Sequence, residues 1–416
     1  MTTTVNNEHK NIKVPNLRFP EFQGEWEKCK VSDLLDFYST NSLSWDKLEY
    51  GTTNIQNLHY GLIHVGLPTM VDIEKDNLPN IIDGNVPKNY ELCKEGDIVF
   101  ADASEDTNEV AKAVEYYNLN GKKVVCGLHT IHGRDNKNKT VVGYKGYAFS
   151  SMSFHHQIRR IAQGTKIYSI NTKNFSECYV GIPSKEEQQK IADLLRLIDE
   201  RIATQNKIID KLQSLIKGIN QRVFMNDGIN YKLGEVCEIR SGYSGNQLLS
   251  KKGLKVSRIE TISEHKVNLE RVGYVAPFES SENYKLQVGD ILFSNINSVE
   301  YIGNTAFIDK DYDLYHGMNL LRLTPNNMVV IPFYLYLLLN TNRMLNRFKT
   351  ICNKAVSQAS INQTELGKTV VQIPLINTQK QICKLYQALY TKLETENHAK
   401  SLFQNQKQYL LRQMFI

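Results

Sequence analysis

The stretch that decides the fold runs from Ser184 to Phe224 and reads SKEEQQKIADLLRLIDERIATQNKIIDKLQSLIKGINQRVF. Its apolar residues return at alternating steps of four and three, the heptad stripe of a helix that packs along another helix. Pro183, Ser184 and Glu187 form the capping pattern of a helix start. Because such a helix would be about 60 Å long, its stripe needs a partner helix. The stripe comprises Ile191, Leu195, Ile198, Ile202, the polar Gln205, Ile209, Leu212, Ile216, Ile219 and Val223.

The same pattern returns later in the chain. Residues 182–224 align without a gap to residues 373–415, and both segments open with Ile-Pro. The second stripe is weaker, since Glu396, Lys400 and Lys407 occupy positions in it. Upstream strings also recur in order: SINTKNFSECYVGIP (169–183) with SINQTELGKTVVQIP (360–374), and EGDIVF (95–100) with VGDILF (288–293). An internal repeat of this kind predicts two homologous units, each followed by a long helix.

The repeat predicts an α/β (α+β) chain of two tandem, pseudo-twofold-related recognition domains separated by an intramolecular antiparallel coiled coil. The second helix should run back along the first, because the ends of a compact domain often lie close together. A homodimer formed through the same stripe is the alternative. The predicted segments are a mobile leader (1–20), a first domain (21–182), a central spacer helix (183–225), a second domain (226–373) and a distal spacer helix (374–416).

Specific side chains are expected along the seam of this coil. The predicted pairs join Ile198 to Phe403, Ile209 to Leu393, Leu212 to Leu389, Ile216 to Tyr386 and Ile219 to Ile382, with Gln205 opposite Glu396. Facing polar groups within a seam fix its register at some cost in stability. The complete seam set is Leu195, Ile198, Ile202, Gln205, Ile209, Leu212, Ile216, Ile219, Ile382, Tyr386, Leu389, Leu393, Glu396 and Phe403.

Inside the two domains, short β-rich runs separated by Gly, Asn and Asp predict strands. In the first domain these are 96–100, 122–131 and 140–149, followed by a helix over 151–163. In the second they lie near 254–262, 289–295, 304–309 and 318–323, followed by one longer helix over 332–351.

The bulk composition is that of an ordinary soluble chain. The 416 residues carry a net charge of +6, with 23% charged residues and a mean hydropathy of −0.39. This mild positive charge is compatible with a polyanionic partner. The polar start, MTTTVNNEHKNIK, is not typical of a signal peptide, and no apolar run is long enough to span a bilayer. We therefore expect a cytoplasmic protein without membrane contact.

Cysteine usage excludes the common zinc motifs. The seven cysteines are scattered and include no CxxC pair, so no metal site is expected and a reducing compartment is the default.

At this point the chain resembles a known family, the specificity subunits of type I restriction–modification enzymes. The resemblance covers nearly the whole chain. It is carried by VPNLRFPEFQGEW (14–26), KCKVSDLL (28–35), the GDIVF and GDILF strings and, most specifically, IPSKEEQQKIADLLRLIDERI (182–202). It implies two target-recognition domains, each reading one half of a bipartite site in double-stranded DNA. It also implies spacer helices that dock two modification subunits.

The resemblance further implies the chemistry of the assembled complex. The modification subunits would methylate adenine with S-adenosylmethionine, and restriction subunits using ATP and Mg²⁺ would cleave DNA. No cofactor is expected in this chain itself.

The residues also argue against an enzyme. No Pro-Pro dipeptide exists, so the Asp/Asn-Pro-Pro-aromatic motif of adenine methyltransferases is absent. The GKT string at 367–369 is not a phosphate-binding loop, since Asn362 stands where the first glycine would fall. No catalytic residue is predicted, and a coiled-coil structural adaptor without DNA readout remains the alternative function.

Polar residues that follow strands are the candidate DNA contacts, because sequence is read by side chains at base edges. A solvated loop residue is the competing interpretation of each, and a buried hydrogen-bonding role competes for His129 and Asn319. Clustered cations at 251–258 and 159–160 are candidate phosphate contacts, with a solvated charged surface as the alternative. The candidates in the first domain are Ser104, Thr107, His129, Thr130, Arg134, Lys137 and Lys139, and those in the second are Ser294, Asn295, Asn297, Ser298, Tyr301, His316 and Asn319.

Overall fold

The computed structural model describes residues 14–224, 228–355 and 358–416, which form two compact units. Unit 1 extends to Lys207 and takes in Asn397–Ile416, and unit 2 is Ile208–Glu396. Each unit therefore contains part of the two long helices, Lys185–Val223 and Ile376–Gln413.

Unit 1 is built from short strands and short helices, joined to one part of each long helix. Its strands are β1 (Glu27–Lys30), β2 (Asp36–Tyr38), β3 (Leu48–Glu49), β4 (Gln56–Leu58), β5 (Met70–Asp72), β6 (Asn80–Ile81), β7 (Ile98–Ala101), β8 (Ala103–Ser104), β9 (Ala113–Asn118), β10 (Val124–Cys126), β11 (Thr130–Arg134), β12 (Tyr168–Ser169) and β13 (Tyr179–Ile182). Its helices are α1 (Val31–Leu34), α2 (Tyr60–His64), α3 (Tyr144–Phe149), α4 (Met152–Ile161), α5 (Thr172–Ser176) and the first part of α6 (Lys185–Val223).

Two larger sheets organise unit 1. The central one has the strand order β2-β11-β7-β9-β5, antiparallel except for the β5–β9 pair, and the other has the order β10-β4-β6-β3. Two small ladders, β1–β13 and β8–β12, complete the unit. One face of the central sheet packs against α3, α4, α5 and the long helices in a core that includes Phe100, Phe149 and Leu195. Its other face packs with the four-stranded sheet in a second cluster, which includes Val99 and Leu58.

Unit 2 repeats this plan with fewer strands. Its strands are β14 (Ile229–Lys232), β15 (Cys237–Ser241), β16 (Leu254–Val256), β17 (Gly273–Val275), β18 (Ile291–Phe293), β19 (Ile296–Asn297), β20 (Thr305–Phe307), β21 (Leu321–Pro325), β22 (Asn353–Lys354), β23 (Ala359–Ser360) and β24 (Val370–Ile373). Its helices are α7 (Leu233–Val236), α8 (Pro332–Leu339), α9 (Asn342–Ile351), α10 (Gln363–Gly367) and the first part of α11 (Ile376–Gln413). The central sheet has the order β15-β21-β18-β20.

The strand registers confirm the internal duplication. The β1–β13 ladder places Glu27 opposite Ile182, and the β14–β24 ladder places the equivalent Ile229 opposite Ile373. Likewise β11 pairs with both β2 and β7, as β21 pairs with β15 and β18. The two units thus share one scaffold.

A buried glutamine anchors each long helix to its own unit. Gln188 accepts a hydrogen bond from the Val141 N–H at 2.9 Å and donates to the carbonyl groups of Lys139 and Pro183. In unit 2, Gln379 accepts from the Ile331 N–H at 2.8 Å and donates to the carbonyl groups of Val329 and Pro374. Both glutamine side chains are fully buried, so each amide satisfies backbone groups that water does not reach.

The two long helices pack against each other inside each unit, in the antiparallel sense that the sequence predicts. In unit 1, Gly181 lies against Ile416, and further along α6 Asp199 forms an ion pair with Lys407 at 2.6 Å. In unit 2, the strand β14 that follows α6 pairs with the strand β24 that precedes α11, and the Tyr386 hydroxyl donates to Asn220.

The predicted seam residues lie at or beside this packing. Leu195, Ile198 and Ile202 belong to the unit 1 core, whereas Ile216, Ile219, Ile382, Tyr386, Leu389 and Leu393 belong to that of unit 2. Gln205, Ile209 and Glu396 are buried, and Leu212 and Phe403 are half-buried. The individual residue pairs stay predictions.

Two predictions that involve α-helices were wrong. Residues 144–149 form helix α3 rather than a strand, and Gly143 starts it with a left-handed φ of 99°. All six residues of α3 are buried, so the run lacks the polar face that distinguishes a helix from a buried strand. The predicted single helix over 332–351 is two helices, because the Thr341 side chain caps the second by accepting from the Met344 N–H. Since α3 and α4 correspond to α8 and α9, the units are more alike here than the sequence indicated.

The leader lies partly outside the described residues, which begin at Val14. From there, the Leu17 N–H donates to the Gln413 carbonyl, and Arg18 forms a bidentate ion pair with Glu187. Among the residues described, no helix combines the length and the apolar character that a membrane span requires.

Candidate nucleic-acid interface

In each unit, two of the predicted polar segments meet at the same end of the central sheet. In unit 1, Ala101 at the end of β7 pairs with Thr130 at the start of β11, so the segments that follow β7 and precede β11 are neighbours. In unit 2, Phe293 pairs with Leu321 in the equivalent way. Residues from different parts of the sequence therefore share one edge in each unit.

His129 and Asn319 hold equivalent positions at these edges. Both lie in turns just before a strand, not within strands as we expected, and both adopt a left-handed φ, 54° for His129 and 64° for Asn319. Such turns direct the side chain away from the strand pairing, and Asn and His adopt this region more readily than most residues. Both side chains are exposed, so they are available to a partner.

The unit 1 edge collects Ser104, Thr107 and His129. The His129 Nδ1 atom is 3.1 Å from the Asp102 carboxylate, and Ser104 accepts a hydrogen bond from the Asp106 N–H. Ser104 also pairs with Tyr168 in the β8–β12 ladder. The three candidates are partly or fully exposed, so this edge can contact a ligand.

An aromatic cluster beside His129 was missed by the sequence analysis. The ring of Tyr60 packs edge-on against His129 with centroids 5.2 Å apart and lies over His59 at 4.7 Å. His59 in turn packs on Trp45, whose side chain is 45% exposed. Burial, and then the charge of His129, lower the pKa of His59. Exposed aromatic rings near a polar edge are suited to stacking on bases, but they are separated in sequence, so no local motif reveals them.

In unit 2 the equivalent edge contains a shallow cleft of about 150 Å³. Asn297 and Tyr301 line it, together with Ser294, Asn304, Glu260 and Ser263. Tyr301 is 49% exposed, and Ser298 between them is exposed. Asn295 is turned inward, where its amide N–H contacts the Ile361 carbonyl at 3.4 Å. Asn297, Ser298 and Tyr301 are thus the accessible candidates.

Four candidates are buried and leave the proposed contact set. Thr130 and Ser294 are enclosed by backbone neighbours. His316 donates from Nε2 to the Leu320 carbonyl at 2.9 Å, and burial lowers its pKa to about 4. Arg134 forms a bidentate ion pair with Asp97 and also binds Glu91, so its guanidinium group is fully used inside the fold.

Lys137 and Lys139 lie at the opposite end of β11 from His129. The Lys137 ammonium group donates to the Asp33 carbonyl, and Lys139 pairs with Glu27 at 2.7 Å. The unit 1 candidates between 129 and 139 therefore lie on two separate surfaces. The basic residues at 251–258 are on the surface of unit 2, where Lys255 and Arg258 have acidic neighbours at 3.9 and 3.4 Å.

These features define a duplicated scaffold that presents different polar side chains at equivalent edges. A family model described as the type I restriction modification DNA specificity domain matches residues 24–214 and again residues 226–402. The chain therefore belongs to the family of type I restriction–modification DNA specificity subunits, with the domain present twice. As a DNA-binding specificity subunit it is not itself an enzyme, and the resemblance read from the sequence is confirmed.

Relatives by sequence carry the same description. The chain is 39% identical over 188 residues to the MjaX specificity subunit of a type I restriction enzyme in Methanocaldococcus jannaschii, a match that spans 44% of each chain. It is 24% identical over 367 residues to the type I restriction enzyme EcoKI specificity subunit of Escherichia coli K12, covering 79% of this chain and 77% of that one.

Solved structures share the fold. A type I restriction–modification S subunit from M. genitalium superposes with a TM-score of 0.58 at 16% identity, over 97% of this chain and 99% of that chain. A chain from a study of complex assembly in a type I system gives a TM-score of 0.59 at 15% identity, over 93% and 96%.

Proposed function

We propose that each unit reads one half of an asymmetric, two-part sequence in double-stranded DNA. The observation that carries this proposal is the equivalence of the two edges combined with the difference in their side chains. Ser104 in β8 corresponds to Asn297 in β19, and His129 corresponds to Asn319. One scaffold with two sets of hydrogen-bonding groups is suited to two different half-sites.

The side chains at each edge offer distinct recognition chemistry. Asn319 carries the amide group that can contact the N6 and N7 atoms of adenine together, whereas the Asn297 amide donates to the Ser294 hydroxyl and accepts from the Ser298 N–H. In unit 1, His129 and Ser104 offer single donors or acceptors, and Trp45 offers an exposed ring. Specific sites typically bind about 10³–10⁷ times more tightly than other DNA, a ratio that several such contacts together can supply.

The long helices are proposed to set the distance between the half-sites and to dock two modification subunits. Those subunits would methylate adenine with S-adenosylmethionine, and restriction subunits would add ATP- and Mg²⁺-dependent cleavage. Support comes from the buried glutamine anchors, which join each long helix directly to a unit. Both outer faces of the helices carry exposed polar residues such as Glu200 and Lys384, which leaves a surface for partners.

The sharpest test replaces residues 233–369 of unit 2 with the equivalent residues 31–178 of unit 1. Because the β1–β13 and β14–β24 ladders have the same register, both junctions fall at matching positions. Methylome sequencing of a host that expresses the chimera with its modification partner should report a motif whose two halves are the same. The reciprocal chimera should repeat the other half-site.

A second test concerns the distance between half-sites. One heptad inserted into each long helix adds about 10.5 Å, and the methylated motif should then contain a longer unspecified segment. A matched variant with one exposed substitution per helix should keep the original motif. If the methylated motif is unchanged both after the domain exchange and after the heptad insertion, the chain is better explained as a structural adaptor without DNA readout.

A further inference from the structure

Three side chains that commonly bind metals meet in the interior of unit 1. Cys93 precedes β7, Cys126 ends β10 and His132 lies in β11, and one ligand atom of each lies within 4.8 Å of the others. The two Sγ atoms are 3.5 Å apart, whereas a tetrahedral zinc with Zn–S bonds of about 2.3 Å separates its sulfur ligands by about 3.8 Å. All three side chains are buried.

One nitrogen of the His132 ring is hydrogen-bonded to a carboxylate, and the other has no hydrogen-bond partner among the described residues. Its Nε2 atom is 2.7 Å from the Asp97 carboxylate. Its Nδ1 atom is buried and has no hydrogen-bond partner among the residues that the structure describes. A carboxylate that binds the far nitrogen of a metal-bound histidine fixes the tautomer and makes the other nitrogen a better ligand. The unpartnered nitrogen would otherwise carry an uncompensated cost of desolvation.

We propose that Cys93, Cys126 and His132 bind one zinc ion, with Asp97 as the supporting carboxylate. Tyr116 is the candidate fourth ligand, since its hydroxyl group is fully buried and has no hydrogen-bond partner within the described part of the chain. Tyr116 belongs to the same buried cluster as Cys93 and Cys126.

The ligand set selects the class of metal. Two sulfurs and one imidazole nitrogen suit zinc and similar borderline or soft ions, whereas Mg²⁺ and Ca²⁺ prefer oxygen ligands. A set with no open side and almost no solvent exposure is typical of a structural site rather than a catalytic one. The ion would therefore stabilise the fold.

The position of the site shows which part of unit 1 the ion would stabilise. Cys126 belongs to the four-stranded sheet and His132 to the central sheet, and the turn between them presents His129. A zinc ion at this point would fasten the two sheets together directly beneath the unit 1 edge.

Unit 2 lacks the same ligands. Following the strand registers, the positions of Cys93, Cys126 and His132 are taken there by Leu286, His316 and Arg322. The metal site is thus specific to unit 1, and the chain should bind one ion rather than two.

The experiment measures zinc in the full-length protein purified without chelator. Elemental analysis should find about one zinc per chain, and a C93S/C126S double variant should lose nearly all of it. Cys178→Ser is the matched control, because it also removes a buried thiol from unit 1 and should retain the zinc.

A second measurement on the unmodified sequence covers the case in which the double variant does not fold. Chelator-treated protein is titrated with Co²⁺, which should produce the absorption of a tetrahedral ion bound by thiolates. The proposal is overturned if the protein contains no zinc and gives no cobalt spectrum while thiol titration finds both cysteines reduced. A Cys93–Cys126 disulfide in the protein as purified, without zinc, would overturn it equally, as would zinc that persists in the double variant.

Discussion

The two units bury an aspartate at the same place and surround it differently. Asp97 and Asp290 each precede the equivalent strand, and each accepts a backbone hydrogen bond from the residue three positions earlier. Beyond this shared contact, Asp97 binds His132 and Arg134, whereas Asp290 accepts a hydrogen bond from the Thr324 hydroxyl at 2.6 Å. Contacts to the backbone are retained between the units, and contacts between side chains have diverged.

The largest expected difference between the units is in the free energy of unfolding that each loses when the partner of its aspartate is removed. Arg134→Ala leaves the Asp97 carboxylate buried without its bidentate partner, which should lower the free energy of unfolding of unit 1 by about 3–5 kcal/mol. Thr324→Val removes one hydrogen bond near the surface and should cost unit 2 about 1 kcal/mol. Denaturant unfolding of the full chain, followed by probes in each unit, checks both values.

The exposed Lys137→Ala variant is the control and should change stability by less than about 0.5 kcal/mol. Equal losses for the arginine and threonine variants would show that the two aspartates are supported to the same extent.

The next prediction compares how the stability of each unit depends on pH. Burial lowers the pKa of His316 to about 4, against about 6.5 in an unfolded chain. Between these values the unfolded chain binds a proton that the folded unit does not, so the stability of unit 2 should fall by up to about 3 kcal/mol as the pH drops from about 6.5 to about 4. Unit 1 has Cys126 at this position, but burial lowers the pKa of its own His59 and His155, so a His316 variant is needed to isolate this contribution.

In the His316→Gln variant, the free energy of unfolding of unit 2 should therefore decrease less across this pH range than in the parent chain. The exposed His156→Gln variant should follow the parent chain. A His316→Gln profile that overlays the parent would contradict the assignment.

A third prediction tests what the units have in common. Gln188→Ala and Gln379→Ala each leave one N–H and two carbonyl groups of the backbone without a partner, so each should cost its own unit about 2–3 kcal/mol. The exposed neighbours provide controls, since Gln189→Ala and Lys380→Ala should be nearly neutral. Thermal unfolding of the four variants makes the comparison, and a loss in only one unit would show that the two anchors are not equivalent.

The smallest expected effects are those on DNA binding. His129→Gly and Asn319→Gly keep the left-handed turn, because glycine adopts positive φ without strain, and remove only the side chain. Each should weaken duplex binding by the assembled complex by about 1 kcal/mol, roughly fivefold, with the effect confined to base changes in one half-site. Asn120→Gly, another exposed left-handed turn residue, should leave binding unchanged.

Much of the fold was predictable because it rests on periodic or repeated sequence. The heptad stripe identified both long helices, and the recurring GDIVF and GDILF strings marked β7 and β18. Local patterns failed where burial on all sides removes periodicity, as in α3. They also failed where a single side chain ends a helix, as Thr341 does.

The candidate interface was predictable only in part. The exposure of Ser298 and Tyr301 agrees with their position after a strand in the sequence, whereas Asn319 was expected within a strand and lies in a turn. The burial of Arg134 and His316, and the assembly of Cys93, Cys126 and His132, depend on strand pairing between distant segments. The sequence of a loop does not show whether strand pairing will bury a polar side chain or expose it.

The glutamine anchors have a consequence for how such chains change over time. Gln188 and Gln379 bind only main-chain atoms of the segments they hold, so these hydrogen bonds do not depend on which side chains those segments carry. We therefore expect that genetic recombination can replace the whole stretch between the two strands of a ladder, β1–β13 or β14–β24, without a matching change at the glutamine. Lineages of this family could acquire new specificities by exchanging modules rather than by accumulating point substitutions.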